Sequence, residues 1–96
     1  MIKVNFKEVK LFDIEGKIIP YEKNEIHKRI AELLYFNSKK LDLVQVGMEI
    51  NKGIEIETRE DELNEIKEMV VDALNFPSHI KKSIKEFIES KIKKWV

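Results

Sequence analysis

Ile50-Asn51-Lys52-Gly53-Ile54-Glu55-Ile56-Glu57-Thr58-Arg59-Glu60-Asp61 places a glycine, a short alternating strand and a helix start in immediate succession. Gly53 accepts the left-handed conformation that ends a helix. Ile54 and Ile56 fall on one face of a strand, and Thr58 with Asp61 fits the Ser/Thr-x-x-Asp/Glu capping pattern, with Thr58 as the N-cap. This stretch fixes organisation rather than chemistry, and the rest of the chain is read outward from it.

Downstream, a helix that starts after Thr58 is expected to bury Leu63, Ile66, Val70, Ala73 and Leu74. Asn75-Phe76-Pro77 ends it, because a residue before proline is pushed out of the helical region. Ser78 then caps a last helix in which Ile80, Ile84, Phe87, Ile88, Ile92 and Trp95 stay in step with 3.6 residues per turn. Upstream, residues 41–51 read two ways. Val44, Val46, Met48 and Ile50 alternate with Gln45, Gly47, Glu49 and Asn51, as in a strand, while Leu41, Val44 and Met48 fit a helical stripe. In the first case Asn51-Lys52-Gly53 is a hairpin loop; in the second Gly53 stands just past a helix end. Before that, Asn24 is placed to cap a helix with Ile26, Ile30, Leu33 and Leu34 on one face, ending near Asn37. At the N-terminus, Ile2, Val4, Phe6, Val9, Leu11 and Ile18 recur mostly at period two, which predicts strands. Asp13-Ile14-Glu15-Gly16 is a turn signal, so residues 9–12 should pair with 17–19 as a hairpin that Pro20 stops.

The chain has 96 residues, enough for a single domain over 1–96 that buries about 60 to 65% of its unfolded surface. Lysine and arginine number 18, as do aspartate and glutamate, so no net field draws the molecule to nucleic acid or an acidic membrane. The absence of cysteine removes disulfides, thiolate nucleophiles and thiolate metal sites. No apolar run approaches the roughly 18 to 20 residues that span a bilayer, and the first residues lack the apolar core of a signal peptide. A soluble, cytoplasmic protein is the expectation. The abundance of Ile, Lys, Glu and Asn points to an AT-rich coding genome.

Taken together, Phe12-Asp13-Ile14-Glu15-Gly16-Lys17-Ile18, Ala31-Glu32-Leu33-Leu34, Leu41-Asp42-Leu43 through Asn51-Lys52-Gly53-Ile54-Glu55-Ile56, and Phe76-Pro77-Ser78-His79-Ile80 resemble a family of small proteins of unassigned function. Its members are carried by phages and prophages of low-GC bacteria. The resemblance implies a helix over 41–51, although Gly47 would cost that helix about 1 kcal/mol relative to alanine. It implies no catalytic residue.

Catalytic and metal chemistry find little to work with. His27 and His79 lie far apart in sequence with no cysteine, and each is expected to be a half-exposed residue at a helix end rather than a ligand. Glu55, Glu57, Glu60, Asp61, Glu62, Glu65 and Glu68 read as a solvated acidic face that complements a helix N-terminus. None of Ser38, Ser78, Ser83 and Ser90 sits in a nucleophile elbow, and Gly16, Gly47 and Gly53 are too scattered to cradle phosphate. Neither a catalytic residue, a metal nor a cofactor is expected. The last helix, by contrast, carries Lys81, Lys82, Lys85, Lys91, Lys93 and Lys94 against Glu86 and Glu89. These lysines are either the water-facing side of an amphipathic helix, partly neutralised by the acidic helix beside it, or a contact surface. Trp95 is either a cap on the core or an anchor on a second subunit.

The resulting expectation is an α+β fold, a small antiparallel sheet made of the N-terminal hairpin plus one short strand, covered by about four helices. Its function would be that of a non-catalytic phage or prophage accessory protein that binds a partner protein, for example to inhibit a host or defence enzyme or to assist assembly. Lys81, Lys82, Lys85 and Trp95 are the candidate contact residues. Two alternatives stay open: an oligomer that sequesters an anionic nucleotide among its lysines, and a nucleic-acid binder that uses the basic C-terminal helix. No membrane contact is expected.

Overall fold

Ile2–Val4 (β1) and Ile56–Thr58 (β2) pair antiparallel, with Ile2 opposite Thr58, Lys3 opposite Glu57 and Val4 opposite Ile56. This register comes from a computed structural model that describes residues 1–19 and 25–95, Trp95 by its backbone alone. Alternation sends Ile2, Val4, Ile56 and Thr58 into the core and leaves Lys3 and Glu57 as an opposite-charge pair on the water side.

Among the described residues the architecture is α+β, with a two-stranded antiparallel sheet and four helices, as the sequence predicts. The details of the sheet differ. Period two lasts only through Val4, after which Phe6–Glu8 forms a 3-10 turn started by the Asn5 side chain, whose oxygen accepts from the Lys7 N–H at 3.0 Å. The turn drops Phe6 into the core. The expected hairpin contributes one bridge, Phe12 to Ile18, outside the sheet. Its turn is held by the Asp13 carboxylate, which accepts from the N–H groups of Glu15 and Lys17 at 2.9 Å, while Gly16 takes a φ of +81°. Pro20 and Asn24 fall outside the described residues.

Helices Ile26–Asn37 (α1) and Leu41–Asn51 (α2) form an antiparallel pair joined by Ser38-Lys39-Lys40. α1 buries Ile26, Ile30, Leu33 and Leu34, the residues its spacing singles out. α2 resolves the ambiguity at 41–51 in favour of a helix, and Gly53 follows it with a φ of +70°. Its buried face is not the expected one. Leu43, Gly47 and Ile50 point inward, whereas Leu41 and Met48 are exposed and Val44 is half-buried. Gly47 accounts for this. A Cβ there would lie 3.0 Å from both the Ala31 carbonyl oxygen and the Leu34 Cβ, so glycine is what lets the two helices approach on that face.

Helices Glu60–Asp72 (α3) and Ser78–Trp95 (α4) pack on each other and close the core. α3 buries Leu63, Ile66 and Val70, and α4 buries Ile84 and Ile88, with Phe87 half-buried at 5.7 Å from the Phe6 ring. Each fully buried aliphatic side chain contributes about 1.5 to 3 kcal/mol.

Two helix starts depart from expectation. Thr58 is not the cap of α3. It is fully buried as the last residue of β2, and its hydroxyl donates to the Ile2 carbonyl at 3.4 Å. Arg59 takes the N-cap place, and the Glu62 carboxylate accepts from the Arg59 N–H at 2.9 Å. Ser78 is already the first helical residue of α4, and the Pro77 carbonyl accepts from the N–H groups of Ile80 and Lys81. Leu74, expected in the core, is fully exposed because α3 stops at Asp72 and the chain turns there.

Candidate functional site

Tyr35 and Phe36 sit in the last turn of α1, and at about 100° per residue both fall outside the arc that Ile26, Ile30, Leu33 and Leu34 turn to the core. Leu33 and Leu34 take the inward places, so both rings remain outside. Phe36 is 76% exposed and Tyr35 50%, and the rings meet edge to face at 5.0 Å. On α2, Met48 stands beside Gly47 and is 54% exposed. A hollow of about 440 Å³ lies on this outer side, lined by Ala31, Glu32, Tyr35, Phe36, Met48 and Lys52 among others.

A second open hollow, of about 830 Å³, lies on the other flank of α1. Leu33, Met69, Ala73 and Leu74 form its apolar lining, and Lys40, Glu65, Glu68 and Asp72 its charged edge. A smaller recess that includes Arg29, Glu32, Leu33 and Phe36 joins the two. The surface is continuous around the C-terminal half of α1.

Arg29 organises this region. Its guanidinium lies 4.9 Å from the centre of the buried Phe76 ring and donates to the Asn75 carbonyl at 3.0 Å, so α1 holds the turn between α3 and α4 in place. Lys40 pairs with Glu65. The hydrogen bond between these two holds the Lys40 ammonium above its ordinary pKa. Arg59 bonds the Asp61 carboxylate at 3.1 Å, which in the same way raises its pKa. Arg29 and Phe36 were not singled out by sequence reasoning, and Leu74 was assigned to the core. A helix stripe cannot distinguish an aromatic just off the buried face from one on it, and Leu74 continued the α3 spacing from Val70.

The sequence-predicted contact residues fare differently from one another. The Lys81 ammonium donates to the Val71 carbonyl at 2.8 Å, so it serves the end of α3. Lys82 and Lys85 are exposed on α4. The Trp95 side chain lies outside the described residues. Neither hollow draws a lysine from α4. The expected neutralisation of α4 by α3 takes an unexpected form: among the described residues the ion pair between them joins Lys67 of the acidic helix to Glu89 of the basic one at 3.5 Å.

Of the two histidines, His79 is exposed, but His27 is 2% exposed, against the expectation of a half-exposed helix end. It sits against Gly53, and burial is the main cause that holds its pKa below 6.5, with Lys7 and Lys28 adding to it. Among the described residues no group of three or more His, Asp or Glu could hold a metal ion, and no helix is long and apolar enough to cross a membrane. Comparison with family models, curated proteins and solved structures gives no match to this chain.

Proposed function

We propose that this protein works by binding a partner protein, without catalysis, through the surface around the C-terminal half of α1. The observation that carries the reading is the contiguity of large exposed apolar side chains there: Tyr35, Phe36 and Met48 on one flank and Leu74 on the other. Exposed apolar patches of this kind mark interaction surfaces, and aromatic and methionine side chains are the types enriched in them. Gly47 is among the residues that line the hollow on one flank, and Arg29 steadies the turn that forms the opposite wall. A role as a phage or prophage accessory protein rests on the family resemblance alone. The α4 lysines give less support to a nucleotide-sequestering or nucleic-acid-binding role, because Lys81 is committed to a backbone carbonyl and Lys91 lies by Glu8 and the Phe87 ring.

The test is site-directed photocrosslinking in lysate of a low-GC bacterial host. A benzophenone amino acid in place of Phe36 or Met48 should give a discrete protein adduct, and one in place of Glu86 on α4 should not. Adducts from position 86 with none from 36 or 48 would move the interaction to α4 and sink the proposal.

A further inference from the structure

We infer that the segment docking in the hollow between α1 and the α3–α4 turn is a cationic amphipathic helix of the partner, an inference that rests on the reading of this surface as a protein-binding face. Two independent features of the hollow point to a cation. First, Glu68 and Asp72 lie one helical turn apart on α3, at its edge, and neither makes an ion pair among the described residues. The cations nearby are already engaged: Lys40 with Glu65, Arg29 with the Asn75 carbonyl and Lys81 with the Val71 carbonyl.

Second, the C-terminal ends of two helices meet at this hollow. Asn37 closes α1 and Asp72 closes α3, both line it, and neither helix carries a basic residue in its last turn. The negative end of the α1 macrodipole therefore adds to the carboxylates, while that of α3 is partly met by Lys81 of α4 at the Val71 carbonyl.

The floor, however, is apolar, formed by Leu33, Met69 and Ala73 with Leu74 as a wall. A small cation alone would leave that floor wet, and an apolar segment alone would strip water from two carboxylates with nothing in exchange. A helix with aliphatic side chains on one face and lysine or arginine beside them meets both demands, with the cations placed at Glu68 and Asp72.

The probe is a fluorescein-labelled 18-residue leucine–lysine amphipathic helix, compared by fluorescence anisotropy with the same peptide carrying glutamate for lysine. The lysine peptide should bind the full chain, and Glu68→Gln with Asp72→Asn should weaken it about tenfold or more. Leu74→Ser should weaken it too. The double variant Glu60→Gln, Asp61→Asn, at the opposite end of α3, should leave affinity unchanged. Equal loss from both double variants would reduce the effect to general attraction and overturn the inference, as would equal binding of the glutamate peptide. A Leu74-dependent dimer in sedimentation without peptide binding would overturn it in favour of a second copy. The two proposals separate cleanly: a crosslinked partner at position 36 with no binding of the lysine peptide defeats only the cationic segment, whereas absence of adducts at 36 and 48 defeats the docking face itself.

Discussion

Thr58 offers a hydroxyl to either of two neighbours, and burial decides which. Fully enclosed in β2, it bonds the Ile2 carbonyl and ties the first strand to the second. Thr58→Val keeps the shape and loses that bond, so it should cost about 1 kcal/mol. Thr58→Asp would be nearly neutral for an N-cap, but here it puts a carboxylate in the core and should cost about 3 kcal/mol or more. Urea melts of the two variants check this, and an Asp variant that melts with the wild type and above the Val variant would return Thr58 to the cap. Gly47 sets two effects of one methyl group against each other. Helix propensity favours alanine by about 1 kcal/mol. Overpacking costs about 1 to 3 kcal/mol, and the new Cβ would press on the Ala31 carbonyl, which is backbone and yields poorly. We expect Gly47→Ala to lower stability by about 1 kcal/mol with helix content unchanged; a stabilised variant in the same melts would mean that α1 and α2 are not held at this separation.

The elements differ in how openly the sequence declares them. α4 is plain, because its apolar positions hold step over many turns and nothing else satisfies them. Its two ranks of burial also set the cost of truncation. Ile84→Ala, at a fully buried site, should cost about 2 to 5 kcal/mol, and Phe87→Ala, at a half-buried one, should fall at or below the low end of the 3 to 5 kcal/mol that emptying a core aromatic costs. Thermal melts that reverse this order would show that α4 is docked on a different face. α2 is opaque by comparison. Val44, Val46, Met48 and Ile50 alternate as a strand does, and the helix emerges only because Leu43, Gly47 and Ile50 meet α1, a pattern with a glycine where periodicity looks for an aliphatic. The hairpin at 9–19 was legible in its turn residues and overstated in its ladder. Asp13 and Gly16 specify the reversal, but a turn signal does not state how many pairs follow it.

At the scale of the molecule, the candidate surface was the least legible part, since exposure is decided by where helices end and how closely they pack. Leu74 became surface through the stop at Asp72, and Met48 through the approach at Gly47. The lysine-rich character of α4 was readable, but not that Lys81 would be spent on a carbonyl of α3. Global stability should carry the mark of His27. Buried beside Lys7 and Lys28, with Glu25 only partly offsetting them, it has a folded pKa below 6.5, so between those two values the unfolded chain binds a proton that the fold refuses. Its contribution is complete above about pH 6.5 and is lost as pH falls from there, with a slope of at most about 1.4 kcal/mol per pH unit. His27→Gln should flatten that part of the stability profile, and an unchanged profile would show that the group titrates alike in both states.

The pairing of Val4 with Ile56 has one more consequence, which concerns time. The strands are the two halves of a clasp, and everything between them, α1 and α2 included, is the loop that the clasp closes. A helix pair joined by three residues forms from local contacts, whereas bringing residue 4 to residue 56 must first overcome the entropy of the whole intervening chain. We therefore expect the helix pair to be assembled before the clasp shuts, so that Val4→Ala accelerates unfolding and leaves the refolding rate nearly untouched in stopped-flow chevrons. On a ribosome the same order would let the groove beside Tyr35 and Met48 take shape before the second strand is free to lock it in place.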